Sequence, residues 1–150
     1  MGIDGLPATL RRHRRAALDT SIFIYQLQAN PRYVELTHHI FSWLERPFAS
    51  AVSSTVTITE LLVQPYRQAD ESLINSFLSL VPVFPNLTWV AADLDIAVLA
   101  AQIRAEHRLR TPDALQAATA IHAQATLLVT NDPVFERIDQ FETLVLDRLL

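Results

Sequence analysis

The chain has 150 residues, half of them hydrophobic and 19% charged, with a formal net charge of −4. These proportions suit one domain closing around one core and argue against a disordered chain. Its only two glycines, Gly2 and Gly5, leave no glycine-rich loop to wrap a phosphate, its twelve basic residues are all arginine, and it has no cysteine. Dinucleotide fingerprints, Schiff-base lysines, thiol catalysis, thiolate metal sites and disulfides are thereby excluded, and carboxylate, imidazole, hydroxyl and guanidinium chemistry remains.

Residues 1–14 read as a loosely held basic arm leading through Arg11, Arg12, His13 and Arg14 into a folded domain over residues 15–150. No apolar run of signal-peptide length follows these charges, so a cytoplasmic protein is expected. The longest charge-free stretch, Ser72 to Ala92, is broken by Pro82 and Pro85 and cannot be one lipid-spanning helix.

A short apolar run reaching Asp19 predicts a strand, with a helix following from Thr20 and Ser21. Tyr33, Leu36, Ile40, Phe41 and Leu44 recur at helical spacing, with Pro31 in the first turn and Arg46-Pro47 as the stop. The segment FASAVSS predicts a buried strand, and Ser53, Ser54 and Thr55 offer an N-cap for a helix through TVTITELLVQPY. Asp70-Glu71 opens a helix over SLINSFLSL that ends before Pro82. LTWVAA then reads as a strand, and Asp93 as the N-cap of a helix with Leu94, Ala97, Val98, Ala101 and Ile103 at spacings of three and four. Thr111-Pro112-Asp113 predicts the start of another helix, with a hydroxyl cap, a first-turn proline and a carboxylate near the positive end of the dipole. ATLLVT is a continuous apolar strand, NDPVFERI a turn and brief helix, and FETLVLD a last strand. Strands alternating with helices throughout define the α/β class, with a mainly parallel sheet covered on both faces.

In such a sheet ligands bind beyond the carboxyl ends of the strands. Asp19 and Asp132 each follow a strand, Asp113 sits in a first helical turn, and Glu60 lies one to two turns into the helix after a strand. If the four converge, their charges repel in a partly desolvated cleft unless a cation joins them. All-oxygen donors with no cysteine and no histidine pair at ligand spacing favour Mg²⁺ or Mn²⁺ over zinc, and hydrolysis of a phosphodiester with water as nucleophile is the expected chemistry.

Bland readings compete at each position. Asp113 alone suits a helix dipole, Asp132 an Asn-Asp-Pro turn, and Glu60 a solvated helix face, although Ile58, Leu61 and Leu62 flank it. Asp93 and Asp95 read as a cap and a first turn and are left outside the site. His38 and His39, adjacent on a helix, do not share a face, Glu35-x-x-His38 lacks the second Glu-x-x-His of a di-iron site, and His122 is expected on a partly buried face. No serine occupies a nucleophile elbow.

The segments LDTSIFIY, TITELL, TPDALQAATA and LLVTNDPVF resemble, in order and spacing, the four acidic motifs of the PIN-domain family over roughly residues 15 to 147. In its short form the chain resembles the VapC-like toxins of bacterial type II toxin-antitoxin modules. That resemblance implies a three-layer α/β/α sandwich on a five-stranded sheet and an Mg²⁺- or Mn²⁺-dependent endoribonuclease held inactive by a VapB-like antitoxin. It places Asp19, Glu60, Asp113 and Asp132 in the metal-binding quartet, with Thr20, Ser21, Thr130 and Asn131 as supporting polar residues around it. Two other roles compatible with the resemblance are a housekeeping PIN nuclease in RNA maturation and a catalytically silent PIN-like binding module.

Arg104, on the helix before the Asp113 motif, is the first candidate for RNA contact, and Arg108 and Arg110 are placed to flank the cleft. The arginines of residues 11–15 offer phosphate contacts or merely a solubilising tail. A homodimer is expected, because the helices over Tyr33–Leu44 and Leu73–Leu80 carry more apolar positions than one core needs.

Overall fold

Strands β1 (Arg15–Leu18), β2 (Ser50–Ser54), β3 (Leu87–Val90), β4 (Leu127–Thr130) and β5 (Glu142–Val145) form one sheet in the order β3-β2-β1-β4-β5, every neighbouring pair parallel. The structure is a computed structural model and describes residues 2–150.

The strands are apolar on both faces because helices cover both. Ala16, Leu18, Ala51, Leu127 and Val129 join one core, and the intervening Ala17, Val52 and Leu128 join another, the two-residue alternation of a pleated strand. On the first face lie α1 (Leu6–Arg11), α2 (Thr20–Leu27), α3 (Val34–Leu44), α4 (Thr55–Arg67) and α5 (Glu71–Leu80), contributing Leu10, Phe23, Ile40, Leu61 and Phe77 among others. Phe23 is ringed by Phe41, Phe84 and Trp89 at centroid distances of 5.8, 5.5 and 5.2 Å. On the second face lie α6 (Leu94–His107) and α7 (Thr111–His122), with the 3₁₀ turn Pro133–Arg137. Ala114, Ala117, Ala118 and Ala120 keep α7 thin enough to pack closely on the sheet and on α6. The result is the three-layer α/β/α sandwich.

Caps set several boundaries as the sequence predicts. Ser54 accepts from Val56 N at 3.1 Å, Asp70 from Leu73 N at 3.0 Å and Asp93 from Ile96 N at 3.0 Å. Because both glycines precede residue 6, the left-handed positions just past α2, α4, α6 and α7 fall to Ala29, Ala69, Arg108 and Gln124.

Four local expectations are corrected. The stretch read as a loose arm holds α1, which packs on α3 with Leu6 and Leu10 fully buried. The N-cap of α7 is Arg110 and carries no side-chain capping bond, and Thr111 is instead the first helical residue, its hydroxyl accepting from Arg104 Nη1 at 2.7 Å. Pro31 lies in the turn before α3, and His122 is exposed. His38 and His39 are exposed as well.

Candidate active site at the carboxyl edge of the sheet

The strand order reverses at β1, with β2 on one side and β4 on the other, so the loops leaving β1 and β4 diverge and open a crevice between them. Asp19 leaves β1 there. Its backbone N–H still continues the ladder to Val129 O at 3.0 Å, and its side chain turns back to cap α2, Oδ1 accepting from Thr20 N at 2.8 Å. The other oxygen, Oδ2, accepts from Thr130 Oγ1 at 2.7 Å. Thr130 Oγ1 also accepts from Asp132 N at 3.0 Å, so one hydroxyl at the end of β4 fixes both Asp19 and the turn carrying Asp132. Asp132 Oδ1 in turn accepts from Val134 N at 2.9 Å and caps the 3₁₀ turn.

Glu60, exposed on α4, is drawn toward Asp19 by Thr20, whose Oγ1 donates to Glu60 Oε1 at 2.9 Å. Beneath this pair lies a buried polar network. Thr57 Oγ1 stands 3.1 Å from Thr20 Oγ1 and 3.1 Å from Ser53 Oγ, which reaches Leu18 O at 2.8 Å. Gln116 Nε2 donates to Thr57 Oγ1 at 2.7 Å. Ser53, Thr57 and Gln116 are all buried, and the sequence reading missed them. The available signal was spacing: Thr57 lies three residues before Glu60 and Gln116 three after Asp113, each on the same helix face as its acid.

Asp113, in the first turn of α7, pairs with Arg110 Nε at 3.3 Å. It shares an open groove of about 580 Å³ with Asp132, and Arg108, Arg110 and Arg137 line the same groove. Arg137, which the sequence reading also missed, is steadied by His107 O at 3.1 Å. Arg104 lines an adjoining groove between α6 and α7, together with Ala97, Ala101, Leu115 and the residues Thr111 and Ala114 on either side of Asp113. The hydrogen bonds of Asn131 go to none of the four acids: its Nδ2 donates to Tyr25 Oη at 3.0 Å and its Oδ1 accepts from Asp147 N at 2.8 Å. Tyr25 stacks on Tyr33 at 4.1 Å, so Asn131 anchors the loop that carries Asp132. Ser21 Oγ is buried without a hydrogen-bond partner.

Burial pushes the Asp19 carboxyl up to about 6, against the hydrogen bonds from Thr130 and Thr20, and the charges of Glu60 and Asp113 push it the same way. Among the described residues no cationic side chain pairs with Asp19, Glu60 or Asp132. As the side chains stand, no group of three or more His, Cys, Asp or Glu among the described residues is placed to hold a metal ion. The donor set is nonetheless one a hard divalent cation suits: oxygen only, net negative, and centred on a half-buried carboxylate that lacks a counter-charge.

The candidate residues thus sit at the switch point of a parallel five-stranded α/β sheet, the place where ligands bind in open sheets of this kind. The PIN domain matches residues 16–140, and the chain belongs to the PIN-domain family, whose members are nucleases and generally use divalent metals. Among solved structures, the chain is similar to VapBC2 from Rickettsia felis bound to a DNA fragment from their promoter, with 19% identity and a TM-score of 0.67 over 87% of this chain and 98% of that one. It is similar to VapBC-1 from nontypeable Haemophilus influenzae at 18% identity and a TM-score of 0.66, over 89% and 98%. FitAcB from Neisseria gonorrhoeae gives 22% identity and 0.64, over 85% and 95%. No curated protein sequence matches the chain. No helix among the described residues is long and apolar enough to cross a membrane.

Proposed function

We propose that the chain is a metal-dependent endoribonuclease of the VapC-like toxin type, in which Asp19, Glu60, Asp113 and Asp132 hold Mg²⁺ or Mn²⁺ and water cleaves the RNA phosphodiester. The observation that carries this reading is the uncompensated Asp19 carboxylate, hydrogen-bonded to the end of β4, with three further acids around the same sheet edge. A divalent ion supplies there the charge that offsets the phosphoryl and leaving oxygens and lowers the pKa of water.

The protein's own residues divide the remaining work. Thr130 and the Thr20 N–H hold Asp19 in one rotamer, and Thr20 Oγ1 orients Glu60. Arg108, Arg110 and Arg137 offer guanidinium donors to phosphates on the same groove as Asp113 and Asp132. Incubation of the purified protein with structured RNAs, with Mg²⁺ or Mn²⁺ and with chelator, tests the reading. Cleavage that needs the ion and disappears in Asp19→Asn and Asp113→Asn supports it, whereas cleavage unchanged by either substitution refutes it.

The partner in this reading is a VapB-like antitoxin acting in the cytoplasm. The solved relatives include toxin-antitoxin assemblies, and an acidic cleft is a natural target for an inserted arginine or lysine. Toxicity on expression, relieved by the product of an adjacent small gene, is the expected result. A homodimer belongs to the same proposal. The apolar residues of α3 are largely consumed by the core, whereas Val63 and Tyr66 of α4 and Leu78 of α5 stay 39%, 61% and 45% exposed and supply a surface for it.

A further inference from the structure

At the opposite end of the sheet, where β1 and β2 begin, Arg11, Arg14 and Arg46 line a concavity of about 310 Å³ with Trp43 in its wall and Phe48 at its rim. A smaller one of about 90 Å³ adjoins it through Arg11, Trp43 and Arg46, extending the channel toward His39. Among the described residues no carboxylate lines either concavity. Among the described residues, none of the three guanidiniums has an ion-pair partner, although the chain is acidic as a whole. Phe48 is 83% exposed, the most open large apolar side chain among the described residues.

Three guanidiniums on one concavity without an ion-pair partner favour an anionic ligand, and the open Phe48 ring at its rim adds a flat apolar face on which such a ligand can stack. Single-stranded nucleic acid has both: phosphates for arginines and bases to stack on an aromatic ring. A free phosphate would leave Phe48 unexplained, and an acidic peptide would leave it without a stacking partner. We infer that the groove of Arg11, Arg14, Arg46 and Phe48 is a second RNA-binding site that holds a single-stranded segment away from the acidic cleft. The choice of RNA rests on the nuclease reading above. The four residues of β1 lie between Arg14 and Asp19, so five steps of about 3.3 Å put them about 17 Å apart, and the groove engages a different segment from the one being cut.

The test measures binding of a fluorescently labelled single-stranded RNA to the full chain in chelator, where no cleavage occurs and the cleft acids repel the strand. Its outcome is therefore independent of whether the chain is a nuclease. Arg46→Ala and Arg14→Ala are each expected to weaken binding several-fold and to lower the slope of log affinity against log salt by about 0.7, one phosphate contact for a single strand. Arg46→Lys should retain the slope, and Phe48→Ala should weaken binding several-fold with the slope unchanged. All these side chains are exposed, so folding is preserved. Wild-type affinity and slope in the alanine variants, or RNA binding lost only in Arg108→Ala and Arg137→Ala, would overturn the assignment. So would polyglutamate binding as tightly as RNA with no effect of Phe48→Ala, which would mark a generic anion patch.

Discussion

Thr130 Oγ1 donates to Asp19 Oδ2 over 2.7 Å and links the last residue of β4 to the first residue beyond β1. The bond spans the point where the strand order reverses, and the same hydroxyl accepts from Asp132 N. Thr130→Val keeps the shape of the side chain and removes both interactions. Stability should fall by about 1–3 kcal/mol, because Asp132 N and a buried carboxylate oxygen each lose a partner. The Asp19 carboxyl should titrate higher than in the wild type, since this bond is what most opposes the effect of burial. Carboxyl NMR titration and urea denaturation of the same variant check both expectations. A folded Thr130→Val protein with unshifted Asp19 titration would show that the bond does not set the carboxyl's behaviour.

Asp19 also gives stability without metal a definite pH dependence. Its carboxyl is raised from 3.8 to about 6 in the folded protein, so the fold holds the proton more tightly than the unfolded chain does. The native state is therefore favoured below about pH 4, and this advantage is lost as pH rises through about 6. Above that pH the buried anion is a fixed cost of about 3 kcal/mol on the basis of that shift. In chelator, Asp19→Asn should accordingly be more stable than the wild type at pH 7.5, with the difference vanishing near pH 4. Chemical denaturation at the two pH values measures it, and an Asn variant less stable at pH 7.5 would contradict the sign.

Leu10 offers a test of the amino-terminal segment. Leu10→Ala should cost about 2–5 kcal/mol, the range for an aliphatic side chain removed from a close-packed site. A loss below 0.5 kcal/mol, on the order of a surface substitution, would mean that α1 does not belong to the core. Thermal or urea unfolding reads the difference.

The buried pair of Gln116 and Thr57 should act as one unit. Thr57→Val and Gln116→Leu each strand a buried partner and should each cost about 1–3 kcal/mol, while the double variant should cost less than their sum. RNA cleavage should fall in both singles with little change in KM, since the network supports Thr20 and through it Glu60. Strict additivity in a double-mutant cycle would show that the two do not share an interaction.

Much of the architecture was legible because it rests on strong local signals. The apolar runs at Ala16–Leu18 and Leu127–Val129 are uniformly hydrophobic since helices cover both sides of the sheet, and Ser54, Asp70 and Asp93 mark helix starts with their own side chains. Asp19 and Asp132 stood out as acids directly after such runs. The first helix was hidden because Leu6 and Leu10 are its only strongly apolar core positions and a cluster of arginines follows them, a pattern that composition reads as a tail. Thr57 and Gln116 were hidden because a hydroxyl or amide in an apolar helix looks like tolerated polarity until its buried partners are known. Arg104 bonds Thr111 at the start of α7, and the guanidiniums that share a groove with Asp113 and Asp132 come instead from the loop after α6 and from the turn after β4, where no helical periodicity marks them.

Whether acids from four separate stretches of chain act together on divalent metal is decided by Mn²⁺ binding followed by electron paramagnetic resonance. Wild type should bind Mn²⁺, Asp19→Asn and Asp113→Asn should each weaken it at least about tenfold, and Asp93→Asn, at a helix cap outside the site, should leave it unchanged. Equal Mn²⁺ affinity in all four proteins would contradict such joint action.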